Sequence, residues 1–427
     1  MAVREASGWD PLVVCVAVYL LMSVGRVHQL FSLEAFRPAI LTGGLALLLF
    51  WFDRHQERRL EHVWLPTTKF LLALFVWMVI SIPGSLSEGT SVTLVFGNFI
   101  KTALMYLVIA AAVRDIRDVE RFALTYLLAC ALYAFIIVTR FDVGSGADWR
   151  LGHLYYYDAN DFATLAVTAL PFGVYFLHAG RRTAVRLFAA ASLAVLTLAF
   201  VYSGSRGGLL SLTAVIVFIV LRYDRIPLRW RVSATALVAL VLFGTASDQY
   251  WQQMGTIVSD TDYNRTGETG RLQIWSRGLD YMLDHPILGV GPDNFPVAEG
   301  TLSPLAERQQ YGVGVRWSAA HNSFVQVGAE LGFPGLLFYL GMIVTGFRAL
   351  GLWRRSEGHD DERMQASELT QAITAALIGF VVGSFFLSLA YSEMFYTLLA
   401  LAIGLYKLER LSVPHHDVRR STLLRTG

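Results

Sequence analysis

Long apolar runs follow one another from Pro11 to Tyr406, parted by short polar stretches, and no hydrophilic block is large enough for a soluble domain. In lipid every backbone polar group must be satisfied within the segment, so such runs predict membrane-spanning helices. Spans are expected near 11–24, 38–52, 66–82, 92–113, 122–138, 162–177, 184–202, 209–221, 232–245, 332–350, 371–389 and 394–408. The fold class is therefore all-α: a polytopic membrane protein of about 12 helices, residues 1–427 forming a single membrane domain.

Composition agrees with the pattern. Of 427 residues 55% are hydrophobic and 16% charged, with a mean hydropathy of +0.48, values that exclude an ordinary soluble enzyme. The formal net charge of +2 does not suggest a nucleic-acid partner. Its arginines fall in alternate loops: Arg54, Arg58 and Arg59; Arg114, Arg117 and Arg121; Arg181, Arg182 and Arg186; Arg222, Arg225, Arg229 and Arg231; Arg354, Arg355 and Arg363. Positive charge is retained on the cytoplasmic side, which places both termini inside. Cys15 and Cys130 lie within apolar runs and read as packed free thiols, and the first run lacks a small-residue cleavage site.

One loop breaks the rhythm. Residues 246–320, between the ninth and tenth spans, are far more than a connector needs and must lie outside. Within it, 271–284 carries Leu272, Trp275, Leu279 and Met282 at helical spacing, which predicts a short amphipathic helix on the membrane. His285-Pro286 ends it, and Gly289-Val290-Gly291-Pro292 makes a tight turn.

Three outward-facing groups could carry chemistry. The first, Ser203-Gly204-Ser205-Arg206-Gly207-Gly208, combines glycines that allow close approach with a planar fork of donors suited to phosphate. A headgroup-seeking arginine is an equal reading of Arg206. The second is Arg271, which could also be a solvated surface charge; Arg277 and Arg316 are weaker candidates of that kind. The third is His321, in His321-Asn322-Ser323-Phe324, where the long loop re-enters the membrane. A neutral imidazole there can take a proton from an attacking hydroxyl, although a lone loop histidine is more often plain polar surface. Residues 149–158 add Trp149, Tyr155, Tyr156 and Tyr157, suited to sugar stacking or to an interfacial belt. Lys101 lies inside a span, where an ammonium either pairs or faces a cavity, and Glu330 is ionisable at the edge of another.

At these residues the chain resembles the O-antigen ligase and polymerase superfamily of bacterial membrane glycosyltransferases. The likeness is carried by Gly270-Arg271-Leu272-Gln273-Ile274-Trp275, by 285–295 and by 321–332, with Ser205-Arg206-Gly207-Gly208 and Asp158-Ala159-Asn160-Asp161 in support. It implies a donor glycan on undecaprenyl pyrophosphate, Arg206 and Arg271 on the pyrophosphate, and His321 activating an acceptor hydroxyl. It implies no metal and no cofactor. Asn322, Ser205, Arg316, Asp158, Asp161 and Lys101 are expected in support. The expected place is the bacterial inner membrane with a periplasmic active site, and the acceptor favoured is lipid A-core, as in lipopolysaccharide biosynthesis. A polymerase or a protein O-oligosaccharyltransferase of the same superfamily would need the same residues. A flippase for the same lipid-linked sugars is the non-enzymatic alternative, but no repeat or matched pair of interrupted spans supports it.

Overall fold

The computed structural model describes residues 8–140, 150–151, 156–180, 182–223, 226–258, 267–306, 317–353 and 361–412. Arg316, Trp149, His153 and Tyr155 lie outside them, as do Arg181, Arg225, Arg354 and Arg355. Among the described residues there are helices and no strand. The main helices are α1 (Pro11–Ser23), α2 (Pro38–Phe52), α3 (Pro66–Ser81), α4 (Glu88–Ala112), α5 (Ile116–Arg140), α6 (Ala159–Ala179), α7 (Thr183–Ser203), α8 (Arg206–Arg222) and α9 (Leu228–Thr245). The long loop contributes α10 (Asp248–Gly255), α11 (Arg271–Asp284) and α12 (Phe295–Thr301), before α13 (Ser323–Trp353), α14 (Asp361–Ser384) and α15 (Glu393–Ser412).

Nine helices among the described residues are long and apolar enough to cross a membrane. The protein is an integral membrane protein. The other three expected spans coincide with α1 and α8, of 13 and 17 residues, and with α15, which carries Lys407, Glu409 and Arg410. Length and composition alone therefore do not establish twelve.

Local chemistry sets where these helices begin. Pro11, Pro38 and Pro66 occupy the first turns of α1, α2 and α3, where a missing N–H costs nothing. Asp10, Asp158 and Ser205 accept backbone N–H groups at the starts of α1, α6 and α8. One end of α4 is closed by side chains from elsewhere: Lys407 Nζ donates to the carbonyls of Ala111 and Val113 at 2.9 and 2.6 Å, and Arg58 Nε to that of Ala112 at 3.0 Å. Arg58 also pairs with Asp10 and Asp53, and Arg114 with Asp10 and Asp118. Burial works against the Asp10 carboxylate, yet its bonds from Val13 N–H and Arg58 and the nearby Arg114 hold it below the usual range.

The feature that shapes the opposite end is a break in α13. Gly332 has φ +66°, ψ −168° in the middle of this helix, just before Pro334. The break frees carbonyls that other groups then occupy: Ala329 O accepts from Val290 N, Glu330 O from Gly291 N, and Leu331 O from Trp77 Nε1. Phe333 N donates to Pro286 O at 2.9 Å. The 286–291 turn is thus plugged into the helix, which requires glycine on both sides. A Cβ on Gly332 would lie 2.4 Å from Ile287 O, and one on Gly289 2.2 Å from the Glu330 carbonyl carbon. Gly332→Ala is expected to destabilise the protein by about 1–3 kcal/mol or more through left-handed strain plus this clash. A thermal midpoint in detergent equal to that of the unsubstituted protein would refute the account.

Candidate active site

Four segments converge where α13 begins. His321 has a left-handed backbone (φ 49°) and is half-buried, and its N–H donates to Ser388 Oγ at 2.9 Å. Ser323 Oγ donates to Leu387 O at 2.7 Å and accepts from Leu389 N at 2.9 Å, so the 387–389 turn between α14 and α15 is laced to the start of α13. Asn322 Oδ1 accepts from the N–H groups of Phe324 and Val325. It caps α13, and that bonding is what fixes the chain direction immediately after His321.

Arg271 opens α11, whose inner face packs on the first part of α13. Gly278 lies so close to Val325 and Phe295 that a Cβ would fall 2.4 and 2.8 Å from them, and Trp275 Nε1 donates to Ala320 O at 3.1 Å. The Trp275 ring also meets Phe385 and Phe386, at 5.5 and 6.4 Å between centroids. On the other side of Phe386 sits α8, where a Cβ on Gly207 would be 2.9 Å from Phe386 Cβ. Arg206, the first residue of α8, donates from Nη1 to Thr256 Oγ1 at 2.6 Å. The structure therefore brings the helix ends bearing Arg206 and Arg271, and the turn bearing His321, around one aromatic wedge of Trp275, Phe385 and Phe386.

The remaining candidates separate by role. Ser205 and Asp158 are helix caps, Ser205 accepting from Gly208 N at 3.1 Å and Asp158 from Asn160 N and Asp161 N at 2.7 Å. Arg277 is committed internally: its guanidinium donates to both oxygens of buried Glu299 at 2.8 and 2.6 Å, with Tyr281 OH on the same carboxylate. Hydrogen bonding to Glu299 raises the Arg277 pKa. The expected single apolar face of α11 divides in two. Met282 and Trp275 turn to the protein, whereas Leu272 and Leu279 remain half-exposed beside Leu283 and Ile287, because α11 needs one apolar face for α13.

Lys101 and Asp161 line a cavity of about 750 Å³ between α1, α2, α4 and the turns that carry Arg26, Asp293 and Ser388. Ser388, the residue bonded to His321 N–H, lies in its wall, as do Gln326 of α13 and Asp293. Arg26 stands 3.5 Å above the Tyr156 ring and 3.2 Å from Glu393. A seven-residue π-helical stretch of α4, Thr93–Phe99, turns Asn98 into the same space. Burial pushes the Asp293 carboxyl above its ordinary value. Residues 190–340 match the family model described as O-antigen ligase.

Over that stretch the chain is similar to O-antigen ligases. The matched stretch runs from within α7 into α13 and holds Arg206, Arg271 and His321 together. The matching family is one of glycosyltransferase-type ligases and polymerases, which supports an enzyme at that level of description. Among curated proteins, none matches the chain. Sequence reading overlooked Ser388 and Thr256, which bond to His321 and Arg206, and Phe386, which packs on Trp275 and beside Gly207. Asp293, inside the Gly-rich stretch that carried the resemblance, had a readable signal: it follows Gly289-Val290-Gly291-Pro292 and bears a carboxylate at the turn.

Proposed function

We propose that the protein is an O-antigen ligase-type enzyme of the bacterial inner membrane. It transfers a glycan from undecaprenyl pyrophosphate to a periplasmic acceptor hydroxyl, with lipid A-core as the favoured acceptor. The observation that supports this most is the meeting of α8, α11 and the His321 turn at the Trp275–Phe385–Phe386 wedge. His321 takes the proton of the acceptor hydroxyl as that oxygen bonds to the anomeric carbon, and the bond to the pyrophosphate breaks with its electron pair. Arg206 and Arg271 stabilise the charge that develops on the leaving group, the role a divalent ion plays in many nucleotide-sugar enzymes. A single displacement of this kind inverts the anomeric centre.

A deletion strain tests the assignment through its surface glycans. Loss of capped core with accumulation of lipid-linked polymer is the expected result. Accumulation of single lipid-linked repeats would instead make the enzyme a polymerase of the same superfamily, and unchanged glycans would remove the transferase reading. Sidedness has its own check. Gly89→Cys, at the outer start of α4, should react with an impermeant thiol reagent in intact cells, while His55→Cys, in the Arg-rich turn after α2, should not. The reverse labelling would put His321 in the cytoplasm.

A further inference from the structure

The cavity beside Ser388 is not lined by Arg206 or Arg271; it adjoins the His321 turn from another side. Its charges are nearly matched. Arg26, Arg37 and Lys101 face Glu34, Asp161, Asp293 and Glu393, with Arg26 already 3.2 Å from Glu393. Three cations against four carboxylates leave no surplus of positive charge to grip a pyrophosphate, while carboxyl groups, amides and tyrosines together are what bind sugar hydroxyls. One wall is apolar. It is formed by Ile40, Leu47, Leu94 and Leu104 from α2 and α4, and α2 is the least buried of the nine long apolar helices. A Cβ on Gly43 would lie 3.3 Å from the Tyr19 ring, and Gly44 beside it has open space where a side chain would be. The cavity thus has a polar floor under the His321 turn and a lipid-facing side.

Asp293 is held at that floor with unusual firmness. Its backbone is left-handed (φ 60°), a conformation that costs a non-glycine residue energy and persists only when neighbours enforce it. Asn294 supplies the enforcement, with Nδ2 donating to Ser91 Oγ and Pro292 O at 2.7 and 2.8 Å and Oδ1 accepting from Ser87 N at 2.8 Å.

We propose that this cavity is the acceptor site: it receives a membrane-anchored glycolipid laterally between α2 and α4, and Asp293 and Asn98 hold hydroxyls of its terminal sugar within reach of His321. The proposal rests on the reading of Arg206 and Arg271 as donor ligands.

The test uses the full-length protein in its membrane. A photoreactive benzoylphenylalanine at Leu94 should form, in cells carrying Arg206→Ala, an adduct whose mass contains acyl chains and core sugars. An adduct with a polyprenyl pyrophosphate, or with phospholipid alone, overturns the proposal. In parallel, Asp293→Asn should raise the KM for purified lipid A-core roughly tenfold, the effect of weakening about one charged hydrogen bond, with the KM for the polyprenyl-linked donor unchanged. Equal rises in both, or a rise for the donor alone, count against it. A glycolipid adduct in a strain whose deletion leaves all glycans normal would sink the transferase reading and leave the site standing. A polyprenyl adduct beside a ligase phenotype would sink this proposal alone.

Discussion

Replacing His321 by alanine is expected to lower the maximal rate by roughly 10²–10⁴-fold while donor binding stays largely intact, the loss typical of a removed general base. The separation of rate from binding follows from the site's construction. His321 is positioned by its backbone, through the N–H bond to Ser388 Oγ, and Asn322 beside it caps α13 through its own side chain. None of these bonds uses the imidazole, so His321→Ala keeps them. Initial-rate kinetics with a purified lipid-linked donor, together with a direct donor-binding measurement, check this. Donor affinity falling as far as the rate would make His321 a binder and not a base.

Arg206 and Arg271 are expected to act on one pyrophosphate. Lysine at either position keeps the charge but loses the planar fork that can bridge two phosphate oxygens, so each single Lys variant should already be strongly impaired. The alanine variants give the sharper result. Two residues gripping one group lose function non-additively, so the double variant should be little worse than the poorer single one. Activity should also survive EDTA. Strictly additive losses, or activity abolished by EDTA and restored by magnesium, would separate the two arginines and leave Arg206 as a headgroup anchor. Gly207 of α8 and Trp275 of α11 both lie against Phe386, which links the two helix ends.

The primary sequence determined the class of this protein and the approximate place of its helices, because both depend on local quantities. Apolar runs long enough to span lipid have no other stable form than a helix, and proline at 11, 38 and 66 marks where three of them start. The short Arg- and His-containing motifs were legible for the same reason, since each carries its chemistry within a few residues. Which of those polar groups serve the fold depends instead on contacts between segments distant in the chain. Asn322, Ser205 and Asp158 are helix caps, and Arg277 belongs to Glu299, some twenty residues away in the chain but bonded through both carboxylate oxygens. The placement of Lys101 in a cavity with Asp161, Asp293 and Ser388 was equally hidden, because it joins residues from α4, α6 and two separate turns. Even the apolar face of α11 was divided by a partner the sequence cannot name: α13 takes Gly278 and Met282, and Leu279 and Leu283 are left outside. Periodicity reports that a helix has something to bury; only the packed structure says against what.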